Sequence, residues 1–168
     1  MKNKRLADRR TEDQHLRQLF PDNPHLQKLL AKCTAMQVSL SRSLVPEQWL
    51  YHPGRRTIMV WEPDLTEQSL SFLVVILAHE LGHAADFDAH PNKRRMIKHL
   101  HWASAPPSLE KAAFVRGFRL LMELSIPVSL DDYIMMIEPP MAEKVRAEIE
   151  ENLLCCLLRP AAGLGKNA

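Results

Sequence analysis

Residues 69–85 read SLSFLVVILAHELGHAA, and this stretch decides how the chain must fold. At 100° per residue, Leu70, Leu73, Val74, Leu77, Leu81 and Ala84 make one face of a helix, and Phe72, Ile76, His79 and His83 share the other. A helix that is apolar all round belongs in an interior. His79 and His83, four residues apart, lie on one side of it, about 40° apart around the axis. Their imidazoles can reach a single ion, and Glu80 points to one side of that ion.

His79-Glu80-Leu81-Gly82-His83 is an HExxH pentapeptide. Zinc takes neutral imidazole nitrogen at about 2.0–2.1 Å, and a catalytic site needs three protein ligands with a fourth position open. The pentapeptide offers two ligands, His79 and His83, and a general base, Glu80. The competing reading is two core histidines satisfied by hydrogen bonds, with Glu80 paired elsewhere. That reading would bury three polar groups with no metal to compensate them. Zn²⁺ is therefore the expected cofactor.

The 168 residues suffice for one domain, spanning 1–168, with a core that needs no covalent staples. Charge is nearly balanced, 22 basic against 20 acidic residues, which gives no general case for a nucleic-acid partner. Contact through residues 2–10 and 93–98 is the minor possibility there, and it would show steep salt dependence. The basic amino terminus leads into no hydrophobic signal region, and the near-continuous apolar run around residues 70–78 is too short to span a bilayer, so no membrane partner is expected. Cys33, Cys155 and Cys156 make no disulfide framework; they read as small buried side chains, the last two in a C-terminal helix. A cytoplasmic protein is the expectation, of unknown oligomeric state.

Residues 1–45 read as a helical extension, with helices over 5–20 and 25–36 separated by Pro21-Asp22-Asn23-Pro24. Residues 48–52 and 55–61 flank Pro53-Gly54 and read as a hairpin or two strands of a small sheet. Asp64, three residues before Glu67, offers helix-start chemistry for the helix that follows. Lys93, Arg94, Arg95, Lys98, His99 and His101 form the one local basic cluster, a solvated face or a contact surface for an acidic partner. Helices follow over 108–125, 129–137 and 140–158, the last two within a C-terminal segment of 128–168, before a frayed tail. The fold class is α+β: mostly helical, with a small β-sheet beside the HExxH helix.

The third ligand lies farther along, because the extension that would put Gly at 86 and His at 89 is absent: those positions hold Asp86 and Ala89. In the helix over 108–125, Ala113, Phe114, Gly117, Leu121 and Leu124 fall within about 60° of Glu110. Glu123 falls on the opposite side with Arg116 and Arg119, and Arg119 can pair with it at the surface. A carboxylate on an inward stripe needs a cation, so Glu110 is the better third ligand, and Gly117 would allow this helix to approach the HExxH helix closely. A helix-start acid favoured by the macrodipole is the alternative for Glu110, and His90, His99 or His101 are alternatives as ligand. Asp86 is either an acceptor for a ligand histidine's second nitrogen or a plain helix-end acid.

In these residues the chain resembles the small gluzincin-type metallopeptidases, nearest to the ImmA/IrrE-like and phage-associated zincins. The resemblance runs over residues 50–127 and rests on His79-Glu80-Leu81-Gly82-His83-Ala84, Glu110-Lys111-Ala112-Ala113-Phe114 and residues 121–127. It implies a minimal zincin-like domain, a third ligand from a Glu-x-x-Ala segment, and hydrolysis of peptide bonds in a peptide or protein substrate. In that mechanism Glu80 takes a proton from a zinc-activated water and passes it to the leaving amine. Tyr51, His101 and Tyr133 are the possible oxyanion donors, each with a structural role as its alternative. Residues 56–61 could offer a strand edge to an extended peptide. The rival to an enzyme is a non-catalytic regulatory or partner-binding protein that keeps the zinc fold and makes contact through 93–101.

Overall fold

The structure, a computed structural model, describes residues 2–93 and 106–157, with side chains from 10 to 93 and from 106 to 154. The basic run beyond Lys93, His99, His101, the side chains of Cys155 and Cys156, and the tail lie outside the described residues.

The order is α1 (Lys2–Leu19), α2 (Pro24–Ala35), β1 (Ser39–Arg42), β2 (Leu50–His52), β3 (Thr57–Val60), α3 (Asp64–Glu67), α4 (Leu70–Ala89), α5 (Pro107–Glu123), α6 (Leu130–Ile134) and α7 (Pro139–Leu157). This is a mostly helical α+β fold with one small mixed sheet. Asn23 starts α2, its side-chain oxygen accepting from the amides of His25 and Leu26 at 2.9 and 3.3 Å, with Pro24 in the first turn. Ser69 starts α4 by accepting from the Phe72 amide at 3.2 Å. Asp64 does not play the helix-start role expected of it. Its buried carboxylate accepts from Trp49 Nε1 at 2.8 Å, and residues 64–67 form a separate one-turn helix.

The sheet runs β1-β3-β2, with β1 parallel and β2 antiparallel to β3. The expected hairpin is therefore present, β2 to β3, around Pro53-Gly54. Its left-handed residue is Arg56, at φ 51°, and the guanidinium of Arg56 ties the turn to the Met36 carbonyl at 2.6 Å and to Asp88 at 2.5 and 2.9 Å. β3 is central, however, and has no edge for an incoming peptide, which corrects the expectation for residues 56–61. β1 is the strand that fills it. The outer side of β1 is occupied as well: the Leu40 amide donates to Asp13 at 2.7 Å and the Arg42 amide to Glu12 at 3.1 Å, both acids from α1.

α4 is the element the others pack around, touching α2, β2 and, along its length, α5. By length and composition alone it could cross a membrane, but 67% of that stretch is buried inside the domain. Leu73, Leu77, Leu81 and Ala84 are fully buried on one side, and Ala78 on another. Leu70 departs from the expected face and lies half-exposed at the helix start.

The α4–α5 contact is made backbone to backbone. A Cβ added at Gly82 would run into the Ala113 carbonyl and lie 2.9 Å from the Gly117 nitrogen. A Cβ at Gly117 would lie 2.8 Å from both the Ala78 carbonyl oxygen and the Tyr133 hydroxyl. Ala78 and Gly82 on one helix thus face Ala113 and Gly117 on the other, each pair spaced by four. Gly82→Ala would return about 0.5–1 kcal/mol of helix propensity, but overpacking costs about 1–3 kcal/mol, and here the obstacle is backbone. Net destabilisation of about 2 kcal/mol is expected in urea titration; an alanine variant as stable as wild type would contradict so close a crossing.

Candidate metal centre

The crossing has a direct chemical result. His79 and His83 each follow one of the small residues of α4, and Glu110 lies three residues before Ala113 on α5, so all three side chains project beside the contact. Glu110 Oε2 lies 3.3 Å from His79 Nε2 and 3.5 Å from His83 Nε2. The ligand atoms of the three residues fall within 4.8 Å of one another. His79 is buried, His83 nearly so, and the Glu110 side chain is 36% exposed. Four ligands at about 2.0–2.1 Å around a tetrahedral zinc stand about 3.3–3.4 Å apart. The two separations made by the carboxylate oxygen are of that size, so His79, His83 and Glu110 could hold a metal ion.

One feature suits a cation here: one oxygen of Glu80, a residue only 3% exposed, has no hydrogen-bond partner among the described residues. His79 Nδ1, on the far side of the ring from Nε2, also has none among the described residues. Burial works against a charge on either His83 or Glu110. For His83 the hydrogen bond to Glu110 and the charges of Glu80, Glu110 and Asp86 outweigh it and raise the pKa above the ordinary 6.5. For Glu110 the bonds and charges of His79 and His83 outweigh it and hold the carboxyl far below its ordinary 4.5.

The structure places the remaining residues singled out from sequence elsewhere. Asp86 does not serve a ligand histidine. Buried to 1% exposure, it accepts from Arg116 Nε at 3.0 Å and Lys93 Nζ at 2.8 Å and bonds His90 Nδ1 at 3.0 Å. Those bonds outweigh the cost of burial and lower its pKa. The same network removes His90 as a ligand and takes Arg116 off the surface face it was expected to share with Glu123. Glu123 is exposed and pairs with Lys32 at 3.6 Å, not with Arg119. Tyr51 is buried and stacks on Phe87, with ring centroids 6.1 Å apart. Tyr133 is fully buried and donates its hydroxyl to the Phe114 carbonyl at 2.8 Å, which is the structural role given as its alternative. Cys33 is buried, and burial pushes its thiol up to about 12, which makes it inert.

Sequence reasoning passed over two contributors. Gly82 was read only as part of the HExxH string, although the Ala78/Gly82 and Ala113/Gly117 spacings were there to be matched. Phe114 was read as core, yet its ring stacks on His79 with centroids 3.9 Å apart. A groove of about 510 Å³ between the first half of α4 and α6 is lined by Val74, Val75, Ile126 and Met135, and no residue of the triad lines it. Compared with protein-family models, curated proteins and solved structures, the chain matches none. Function is therefore read from the site's geometry and the HExxH motif.

The titration directions give a test of the metal-free site. Glu110, depressed, stabilises the fold above its ordinary 4.5 and loses that contribution as pH falls through its folded value. His83, raised, stabilises below 6.5 and loses its contribution as pH rises through its folded value. In metal-free protein, the stability difference between wild type and Glu110→Gln should peak between pH 4.5 and 6.5 and shrink toward pH 8, by urea titration. With zinc added it should instead grow toward pH 8, since protons compete with metal for the imidazoles. A difference flat with pH in both series would contradict the pairing.

Proposed function

We propose that this chain is a zinc-dependent metallopeptidase, with His79, His83 and Glu110 as ligands and Glu80 as general base. The observation that carries the reading is Glu110 Oε2 at 3.3 and 3.5 Å from the two imidazole nitrogens, the spacing of neighbouring ligands on one tetrahedral ion. The motif resemblance to the small gluzincins points the same way. A zinc ion held there would supply Lewis acidity, bringing a bound water's pKa down to about 7 and polarising a scissile carbonyl.

The protein's own part follows from placement. Glu80 sits between the two histidines on α4, with one carboxylate oxygen that has no partner among the described residues. It would accept the proton of the attacking water and return it to the leaving amine. The α4–α5 crossing would keep the three ligands near final geometry before metal arrives, which lowers the ordering cost of binding. The substrate class is a peptide or protein.

One observation favours a second reading. Glu80 is 3% and His79 5% exposed, as suits a metal site that holds a fold together for partner binding. Elemental analysis separates metal from no metal: about one equivalent of zinc in wild type, little in His79→Ala or His83→Ala. Glu123→Ala, by contrast, should change stability by only about 0.5 kcal/mol, as an exposed ion pair does.

Glu80→Gln separates the two readings. For a peptidase, zinc content stays near wild type while hydrolysis falls by about 10²–10⁴-fold. Loss of zinc on this substitution would reassign Glu80 as a ligand. Absence of hydrolysis in wild type with zinc bound would favour the partner-binding protein.

A further inference from the structure

We infer that Phe114 is the positioning residue for His79, doing by ring stacking what a hydrogen-bond acceptor does at most metal-bound histidines. The inference rests on the metal centre proposed above. A ligand histidine almost always donates its second ring nitrogen to a carboxylate, carbonyl or water, which fixes ring orientation. His79 Nδ1 is buried and without such a partner among the described residues, and Asp86, the acid one would expect there, is committed to His90, Lys93 and Arg116. The contact that the ring of His79 does make is a stacking one.

Phe114 stacks on it with centroids 3.9 Å apart and planes 30° from parallel. His83 meets the same imidazole edge-on, at 4.7 Å and 73°. Glu110 and Phe114 are four apart on α5, hence on one face of it. One turn of helix therefore grips His79 twice, the carboxylate at the Nε2 tip and the phenyl ring on the flat face.

The ring is itself held from behind. Tyr133 donates its hydroxyl to the Phe114 carbonyl at 2.8 Å, meets the Phe114 ring edge-on at 6.3 Å, and packs on Phe118 at 5.2 Å. The Tyr133 hydroxyl lies 2.8 Å from where a Cβ on Gly117 would stand, so the glycine admits it. Gly117 thus serves both the helix crossing and the support of Phe114. The chain of contacts runs Tyr133, Phe114, His79.

The test uses the full chain, stripped of metal and reloaded, with Phe114→Leu, which keeps bulk and removes the ring, and Phe114→Tyr, which keeps it. Zinc affinity is read by competition with a chromophoric chelator, and site geometry by the visible absorption of the cobalt(II)-loaded protein. Phe114→Leu should bind zinc about tenfold more weakly or worse, the range for loss of a group that orients a ligand. Its cobalt bands should shift, while Phe114→Tyr keeps affinity and bands near wild type.

Wild-type affinity and bands in Phe114→Leu would overturn the inference, as would equal losses in both variants. If Phe114→Leu does not fold, Phe114→Met takes its place. Failure of both to fold would mark Phe114 as a core residue only and would likewise overturn it. A wild-type protein that takes up neither zinc nor cobalt would instead refute the metal centre itself.

Discussion

The close crossing of α4 and α5 is the constraint on which the rest of the structure depends. Ala78 and Gly82 meet Ala113 and Gly117, and no larger side chain fits between the two backbones. The contact sets the height of α5 against α4 to within a fraction of a turn. Glu110 arrives at the level of His79 and His83 because of it. A carboxylate has only two side-chain carbons of reach beyond Cβ, so wider-spaced helices would leave it short of both imidazoles.

Around that contact the charges are arranged in two layers. The upper layer is the triad with Glu80, where acids and imidazoles are buried or half-buried side by side. The lower layer is Asp86, one turn past His83, which draws Arg116 from α5 and Lys93 from beyond α4 onto one buried carboxylate. Removing one partner from a buried ionic network is costly because the remaining charge is stranded. Asp86 thus pins the far end of the same helix pair that the small residues pin at its centre. Aromatic packing from Tyr133 and Phe114 closes the remaining side.

The helical skeleton was legible because its signals are local: Asn23 before Pro24, Ser69 ahead of the apolar run, the all-round apolarity of α4. The pairing of Glu110 with the HExxH histidines was also legible, since the inward stripe of α5 separated it from Glu123. β1 was not, because Ser39-Leu40-Ser41-Arg42 has only one strongly apolar position and exists by pairing with β3 across a long loop. For the same reason β3 looked like an edge and proved central. Asp86, Tyr51 and Tyr133 were left with alternatives for a different cause: a polar group's role depends on which partner reaches it first in three dimensions, and spacing along one helix does not show that. Arg116 and Lys93 reach Asp86; the Phe114 carbonyl reaches Tyr133.

The central claim, that this helix crossing builds a His79–His83–Glu110 centre for one zinc ion, is tested most directly by X-ray absorption at the zinc edge of the reloaded full-length protein. The account predicts two imidazole rings and one or two oxygens at about 2.0–2.1 Å, with no sulfur. In Glu110→Ala one oxygen should be lost while both imidazoles persist. A first shell with sulfur at about 2.3 Å, or one unchanged by Glu110→Ala, would contradict it.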